Sequence, residues 1–293
     1  MLPTRRQACN SGTNGGPGYH RATPSQPSHM RRKGGCMADI ILETKNLSKE
    51  FRGFVAVNQV NLRVKRGQIH ALIGPNGAGK TTCFNLLTRF MPATTGSILF
   101  NGNDISSACP AEIARKGIVR SFQISAVFPN LSVLENVRIA LQRNTGLSFH
   151  FWRGLAPLRS LDARAMQLLE QVDLGGFAQE LAVNLPYGRK RALELATTLA
   201  MEPELMLLDE PTQGMGHEDV EKVTALIKQV AQGRTILMVE HNMNVVSSIA
   251  DRITVLARGA VLAEGSYAEV SKNPLVMQAY MGTVDGELQG AHA

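Results

Sequence analysis

Residues 74–82 read GPNGAGKTT and satisfy the spacing G-x-x-x-x-G-K-[ST] in full. Those residue types at that spacing suit phosphate chemistry. Gly74, Gly77 and Gly79 let the backbone curl until successive N–H groups converge on anionic oxygens. Pro75, Asn76 and Ala78 fill the loop between them, and Thr82 closes it. Lys80 is a cation able to reach the outer phosphates, and the Thr81 hydroxyl is placed to ligate Mg²⁺. The surroundings agree with this reading. An apolar run, QIHALIG (68–74), precedes the loop, and a helical run, KTTCFNLLTRF, follows. Strand, loop and helix in that order are the context the pattern requires.

A second cluster stands at LMLLDE (205–210). Four apolar residues bury a strand whose carboxyl end delivers Asp209 toward the phosphate loop, where ligands collect in sheets of this kind. Asp209 is read as a Mg²⁺ residue, acting through water. Glu210 is read as the general base that polarises an attacking water. Alone, two acids after an apolar strand suit a solvated strand end equally well. Beside a phosphate loop they complete a P-loop nucleotidase. The guanine-specific N/T-K-x-D pattern is absent after any strand, so ATP is the expected nucleotide.

These groups need a scaffold. IILETKNLSKEF and VAVNQVNLRV alternate apolar and polar residues, the pattern of half-buried antiparallel strands. ELMLLDE (204–210), TILMVEH (235–241) and RITVLARG (252–259) are compact apolar runs of strand length separated by helical stretches. That predicts an α/β fold with a mostly parallel sheet covered on both faces. From about 127 to 200 strand-like runs are scarce. SLDARAMQLLEQVDL puts Leu161, Ala165, Leu168, Leu169 and Val172 on one helical face, so a helical subdomain inserted into the α/β body is expected there.

Composition removes other classes. In 293 residues no apolar run is long enough to span a bilayer, and no charged-then-apolar leader is recognisable. Cys9, Cys36, Cys83 and Cys109 show no ligand spacing, which fits free thiols in a reducing compartment. The net charge of +7 comes from one end. Residues 1–36 hold six basic residues and no acid, leaving 25 basic against 24 acidic in the rest. The body is close to neutral, so no nucleic-acid partner is expected. The same segment lacks a hydrophobic period and is expected to be a disordered basic tail over 1–37, with Met37 read as the natural initiator. The domain proper is expected at 38–285, followed by a flexible end at 286–293.

The motifs fall in one order: phosphate loop, RSFQ, helical region, LPYGRKRALELATTLA, LMLLDEP and VEHNM. That order resembles the ATP-binding subunits of ABC transporters over about residues 38–282. LSKEFRGFVAVNQVNLRV, ARKGIVRSFQ, the Tyr-Gly form of the signature and the ending KNPLVMQAYMG resemble the subgroup serving branched-chain amino acid importers. The resemblance implies that Phe51 stacks on adenine. It implies that Gln123 links Mg²⁺ and water to the membrane subunits, and that His241 contacts the γ-phosphate. It further implies a head-to-tail pair with a second ABC ATPase subunit, identical or paralogous. Gly188 in the signature of one chain then faces the ATP held by the phosphate loop of the other. Two membrane permeases and, indirectly, a periplasmic substrate-binding protein complete the implied assembly, at the cytoplasmic face of the inner membrane. Alternative readings are an ABC ATPase subunit for another cargo, such as urea or an exported lipid, and a soluble ABC ATPase outside transport.

The chain departs from the family pattern twice. Where the signature usually reads Leu-Ser-Gly-Gly-Gln, Pro186, Tyr187 and Arg189 replace the serine, the first glycine and the glutamine. Pro186 offers neither a hydroxyl nor an N–H, and Arg189 is read as a possible compensating charge. After Glu210, Gly216 stands where an aspartate linking the two sites is usual. Residues 143–160, with three arginines, the only Trp and two Phe, are read either as a loop packing on its own subdomain or as a membrane-subunit contact.

Overall fold

Period-two patterning at the start of the domain builds an antiparallel sheet in the computed structural model, which describes residues 39–121, 127–145 and 160–280. All described residues belong to one unit, Cys36–Ala293. The basic tail and the end at 286–293 lie outside the described residues, as does nearly all of 143–160.

Strand β1 (Ile40–Phe51) is the axis of this sheet. It pairs with β2 (Phe54–Val60), β3 (Arg63–Lys65) and β5 (Thr95–Phe100), and β5 continues to β6 (Asn103–Asp104). The run VAVNQVNLRV is therefore two strands. The buried Thr44 side chain accounts for the break. Its hydroxyl donates to Val60 O at 2.8 Å and accepts from the Leu62 N–H at 2.8 Å, gripping the chain on both sides of Asn61.

The central sheet has the order β11-β10-β4-β9-β8-β7. Its strands are β4 (Ile69–Ile73), β7 (Ile118–Ser121), β8 (Leu205–Asp209), β9 (Thr235–Val239), β10 (Arg252–Ala257) and β11 (Ala260–Gly265). All neighbours are parallel except β10 and β11. Every residue of β4, β8 and β9 is buried. Strands covered on both faces read as unbroken apolar runs. Register then aligns their carboxyl ends, because Val239 pairs with both Asp209 and Leu72. Gly74, Glu210 and His241 follow those ends and share one edge of the sheet.

Helices α1 (Lys80–Leu87) and α2 (Pro110–Arg115) precede β7. Between β7 and β8 the described residues form α3 (Val133–Thr145), α4 (Asp162–Gln171) and α5 (Tyr187–Ala200), with no named strand. Ala165, Leu168, Leu169 and Val172 are buried and pack in one core with Val133, Val137, Leu193 and Leu199, and Leu161 packs against it half-buried. Then come α6 (His217–Val230), α7 (Met243–Ile249) and α8 (Tyr267–Val270), with a further helical segment at 274–280. No helix among the described residues is long and apolar enough to cross a membrane.

His70 sits inside β4, with Nε2 2.8 Å from the Thr254 hydroxyl. Burial first, and the Arg252 charge second, lower its pKa from 6.5 to about 4. The unfolded chain therefore binds this proton at a higher pH than the folded chain does. The neutral imidazole's full contribution is present above pH 6.5 and is lost as pH falls toward 4. At pH 5 the loss is about 2 kcal/mol. Denaturant titrations at pH 7 and pH 5 should show that decline, and His70→Asn should remove this component of the pH dependence.

Candidate functional site

The loop 74–79 is shaped by close backbone approach. A Cβ on Gly74 would lie 2.1 Å from Leu256 O, and one on Gly79 would lie 2.5 Å from Ala56 O. Gly79 also stands at φ +97, where side chains are strained. The cradle is thus clamped between β10 and β2. Gly259 N–H donates to Ala78 O at 3.1 Å, and Asn58 N–H donates to Gly259 O at 2.8 Å. Gly79 caps α1 without a side-chain hydrogen bond, so the first N–H groups of that helix face the loop interior. Thr81 is exposed there and Thr82 half-buried.

Lys80 is buried, and its ammonium donates to Gly74 O at 2.7 Å and Pro75 O at 3.0 Å. Burial lowers its pKa, and the Glu210 and Asp209 carboxylates oppose that shift. Those two acids therefore act on the Lys80 charge from across the edge of the sheet.

Asp209 is nearly inaccessible and carries a partner that the sequence did not reveal. The Arg120 guanidinium, reaching over from β7, is ion-paired with its Oδ2. The same guanidinium donates to Asn85 Oδ1 on α1 at 2.6 Å and lies 5.8 Å from the Phe84 ring centroid. Glu210 is half-buried, in left-handed backbone at φ +47, and its N–H donates to Val239 O at 2.9 Å.

His241 is exposed and stands two residues beyond the end of β9. The next residue, Asn242, caps α7, its side chain accepting from Asn244 N at 3.0 Å. Glu240, before it, is fully buried. Phe51 is exposed at the end of β1, with the Lys49 ammonium 5.1 Å from its ring centroid. Gln123 lies outside the described residues.

The stretch LPYGRKR is the beginning of a helix, not a loop ahead of one. Pro186 is the N-cap of α5, and Tyr187 and Gly188 are its first two residues. Arg189 is engaged within its own chain, its guanidinium carbon 3.8 Å from the Phe177 ring centroid. The Tyr187 hydroxyl donates to Gln213 O at 3.2 Å, tying the start of α5 to the turn after Glu210. Nothing in the sequence signalled that contact.

A family model described as ABC transporter matches residues 57–213. The chain belongs to the ABC transporter family. Members of its ATP-binding cassette class are ATPases, and the chain is one of them. A second model, described as branched-chain amino acid ATP-binding cassette transporter, matches residues 260–286 of this cassette. The high-affinity branched-chain amino acid transport ATP-binding protein BraF of Pseudomonas aeruginosa is 40% identical over 255 residues, 84% of this chain and 99% of its own. The corresponding protein LivG of Escherichia coli is 39% identical over 258 residues, again 84% of this chain and 99% of its own. Among solved structures, an ATP-binding cassette of an ABC transporter in its ADP conformation matches with TM-score 0.73 and 28% identity, covering 83% of this chain and 99% of that one. A dimeric cassette in a post-hydrolysis state bound to ADP and Pi matches with TM-score 0.66 and 26% identity, covering 78% and 99%.

The cassette fits its nucleotide on its own geometry. A glycine loop pressed against β10 at Gly74 and against β2 at Gly79, a buried lysine and a helix N-terminus together suit a polyphosphate. For Mg²⁺ the oxygen donors at hand are the Thr81 hydroxyl and the Asp209 carboxylate. No cluster of three or more His, Cys, Asp or Glu suited to a metal occurs among the described residues. That sparse set suits Mg²⁺, which is commonly held by one or two protein oxygens together with phosphates and water.

Proposed function

We propose that the chain hydrolyses ATP to power uptake of branched-chain amino acids. Two observations support this reading: the match at residues 260–286 to the branched-chain model, and the juxtaposition of Lys80, Asp209 and Glu210 at one sheet edge. In the proposed mechanism, Phe51 stacks on adenine and the N–H groups of residues 74–82 wrap the phosphates. Lys80 balances the outer charge. Glu210 takes the proton of the attacking water, and His241 orients the γ-phosphate. Thr81, Asp209 and Gln123 would hold Mg²⁺, which when bound would neutralise phosphate charge. Little covalent help is required beyond positioning and charge.

The partners are proposed from the same reading. Gly188, at the start of α5, serves the nucleotide of a second ABC ATPase subunit, identical or paralogous. Two membrane permeases receive the stroke, and a periplasmic binding protein delivers the amino acid. The chain then works peripherally at the cytoplasmic face of the inner membrane. Because Arg189 stacks on Phe177, Pro186 and Tyr187 leave the partner's γ-phosphate with fewer donors from this chain, while this chain's own site depends on the partner's signature.

The test is uptake. Deleting the gene in its host should abolish high-affinity uptake of labelled leucine, isoleucine and valine and leave labelled urea uptake unchanged. The wild-type gene should restore it and a Glu210→Gln copy should not. Unchanged uptake of all three amino acids would refute the cargo.

A further inference from the structure

Glu240 is fully buried at the step from β9 to α7. A carboxylate in that position must find donors for its lone pairs. Its Oε1 accepts from the Thr212 N–H at 3.1 Å and from the Thr212 hydroxyl at 2.6 Å. Its Oε2 accepts from the N–H groups of His241 and Asn242 at 3.1 and 3.2 Å. These donors come from two separate loops, one following β8 and one following β9.

The first loop is the turn that carries Glu210. Thr212 lies two residues beyond it, and the turn closes with the Gln213 N–H donating to Glu210 O at 3.1 Å. Glu210 holds left-handed backbone at φ +47, which a non-glycine residue keeps only when its surroundings fix it. The second loop presents His241. We infer that Glu240 is a positioning residue: its carboxylate fastens the turn of Glu210 to the His241 segment, so both groups address one phosphate from a set relative position. This rests on the roles proposed above for Glu210 and His241.

The choice of carboxylate is itself informative. It carries acceptors only and takes all four donors. An amide of the same shape must turn an NH₂ toward one pair of donors, so one loop loses its anchor. Glu240→Gln therefore separates anchoring from packing.

Steady-state ATP turnover and ATP affinity of the full-length chain provide the test, with thermal unfolding as the control for folding. Glu240→Gln should lower kcat by about tenfold or more and shift ATP affinity by less than about twofold, as misplacement of reacting groups does. Thr212→Val should act in the same direction, and Thr212→Ser, which keeps the hydroxyl, should retain wild-type kcat. The double variant Glu240→Gln/Thr212→Val should turn over no more slowly than the worse single variant, because both cut one link. Wild-type kcat in Glu240→Gln, alongside loss of turnover in Glu210→Gln and His241→Ala, would overturn this inference alone. Multiplicative losses in the double variant, with matching losses of thermal stability, would reduce Glu240 to a packing residue and overturn it too. Wild-type turnover in Glu210→Gln or His241→Ala would overturn the site reading and this inference with it.

Discussion

Glu210→Gln is expected to lower ATP turnover by about a hundredfold or more, the scale of a lost general base. ATP affinity should stay close to that of the wild type. In the proposed mechanism the side chain takes a proton and does not bind the nucleotide. It follows β8 directly, and its backbone is held at φ +47 by the bond from its N–H to Val239 O. Asp209, one residue earlier, is tied to Arg120, so it does not readily replace Glu210 as base. The amide keeps the size of the side chain and its hydrogen-bonding reach but cannot accept the proton. Stalled hydrolysis should then lengthen the life of the ATP-bound pair. Turnover measured beside equilibrium ATP binding distinguishes this from a defect in the phosphate loop. Lys80→Ala, by contrast, should weaken binding and turnover together, because Lys80 balances ground-state charge as well. If Glu210→Gln keeps turnover within about tenfold of the wild type, proton transfer has another route and the base assignment fails.

The elements that carry these groups were legible for a physical reason. β4, β8 and β9 are covered on both faces, so their sequences are nearly pure apolar runs, and each announces the residue that leaves its carboxyl end. The phosphate loop was legible because backbone crowding at Gly74 and Gly79 admits nothing larger than hydrogen. β7 was not. It is four residues long, and Arg120 interrupts its apolar character. That same arginine makes the closest contact to Asp209, a pairing between residues 89 apart that no local pattern encodes. Glu240 was hidden beside His241, because nothing in VEHNM says which of the two side chains points inward. That LPYGRKR opens a helix was not legible, since Pro186 caps a helix as readily as it ends a turn. Gly216 stands where an aspartate linking the two sites is usual. Within this chain the bond from the Tyr187 hydroxyl to Gln213 O joins α5 to the turn after Glu210.

Arg120→Met should destabilise the folded chain by about 3–5 kcal/mol, the cost of stripping one partner from a buried ion pair. The pair qualifies as buried: the side chains are 10% and 2% exposed. Methionine fills much of the volume but strips Asp209 of its ion-pair partner and releases Asn85 on α1. Lysine should rescue little, because an ammonium lacks the planar fork that spans Asn85 and Asp209 together. The consequence extends to the Mg²⁺ proposed for this site, since Asp209 would share its charge between that cation and Arg120. Denaturant unfolding of the full chain should therefore show most of the deficit in chelator, and Mg²⁺ with ADP should return more stability to the variant than to the wild type. Neutralising the stranded charge provides the internal check. Asp209→Asn added to Arg120→Met should recover much of the lost stability, as removal of both members of a buried pair does. A double variant as unstable as Arg120→Met alone would mean that the loss comes from packing beside Phe84 and Asn85, and that the charge on Asp209 is compensated from elsewhere in the sheet edge.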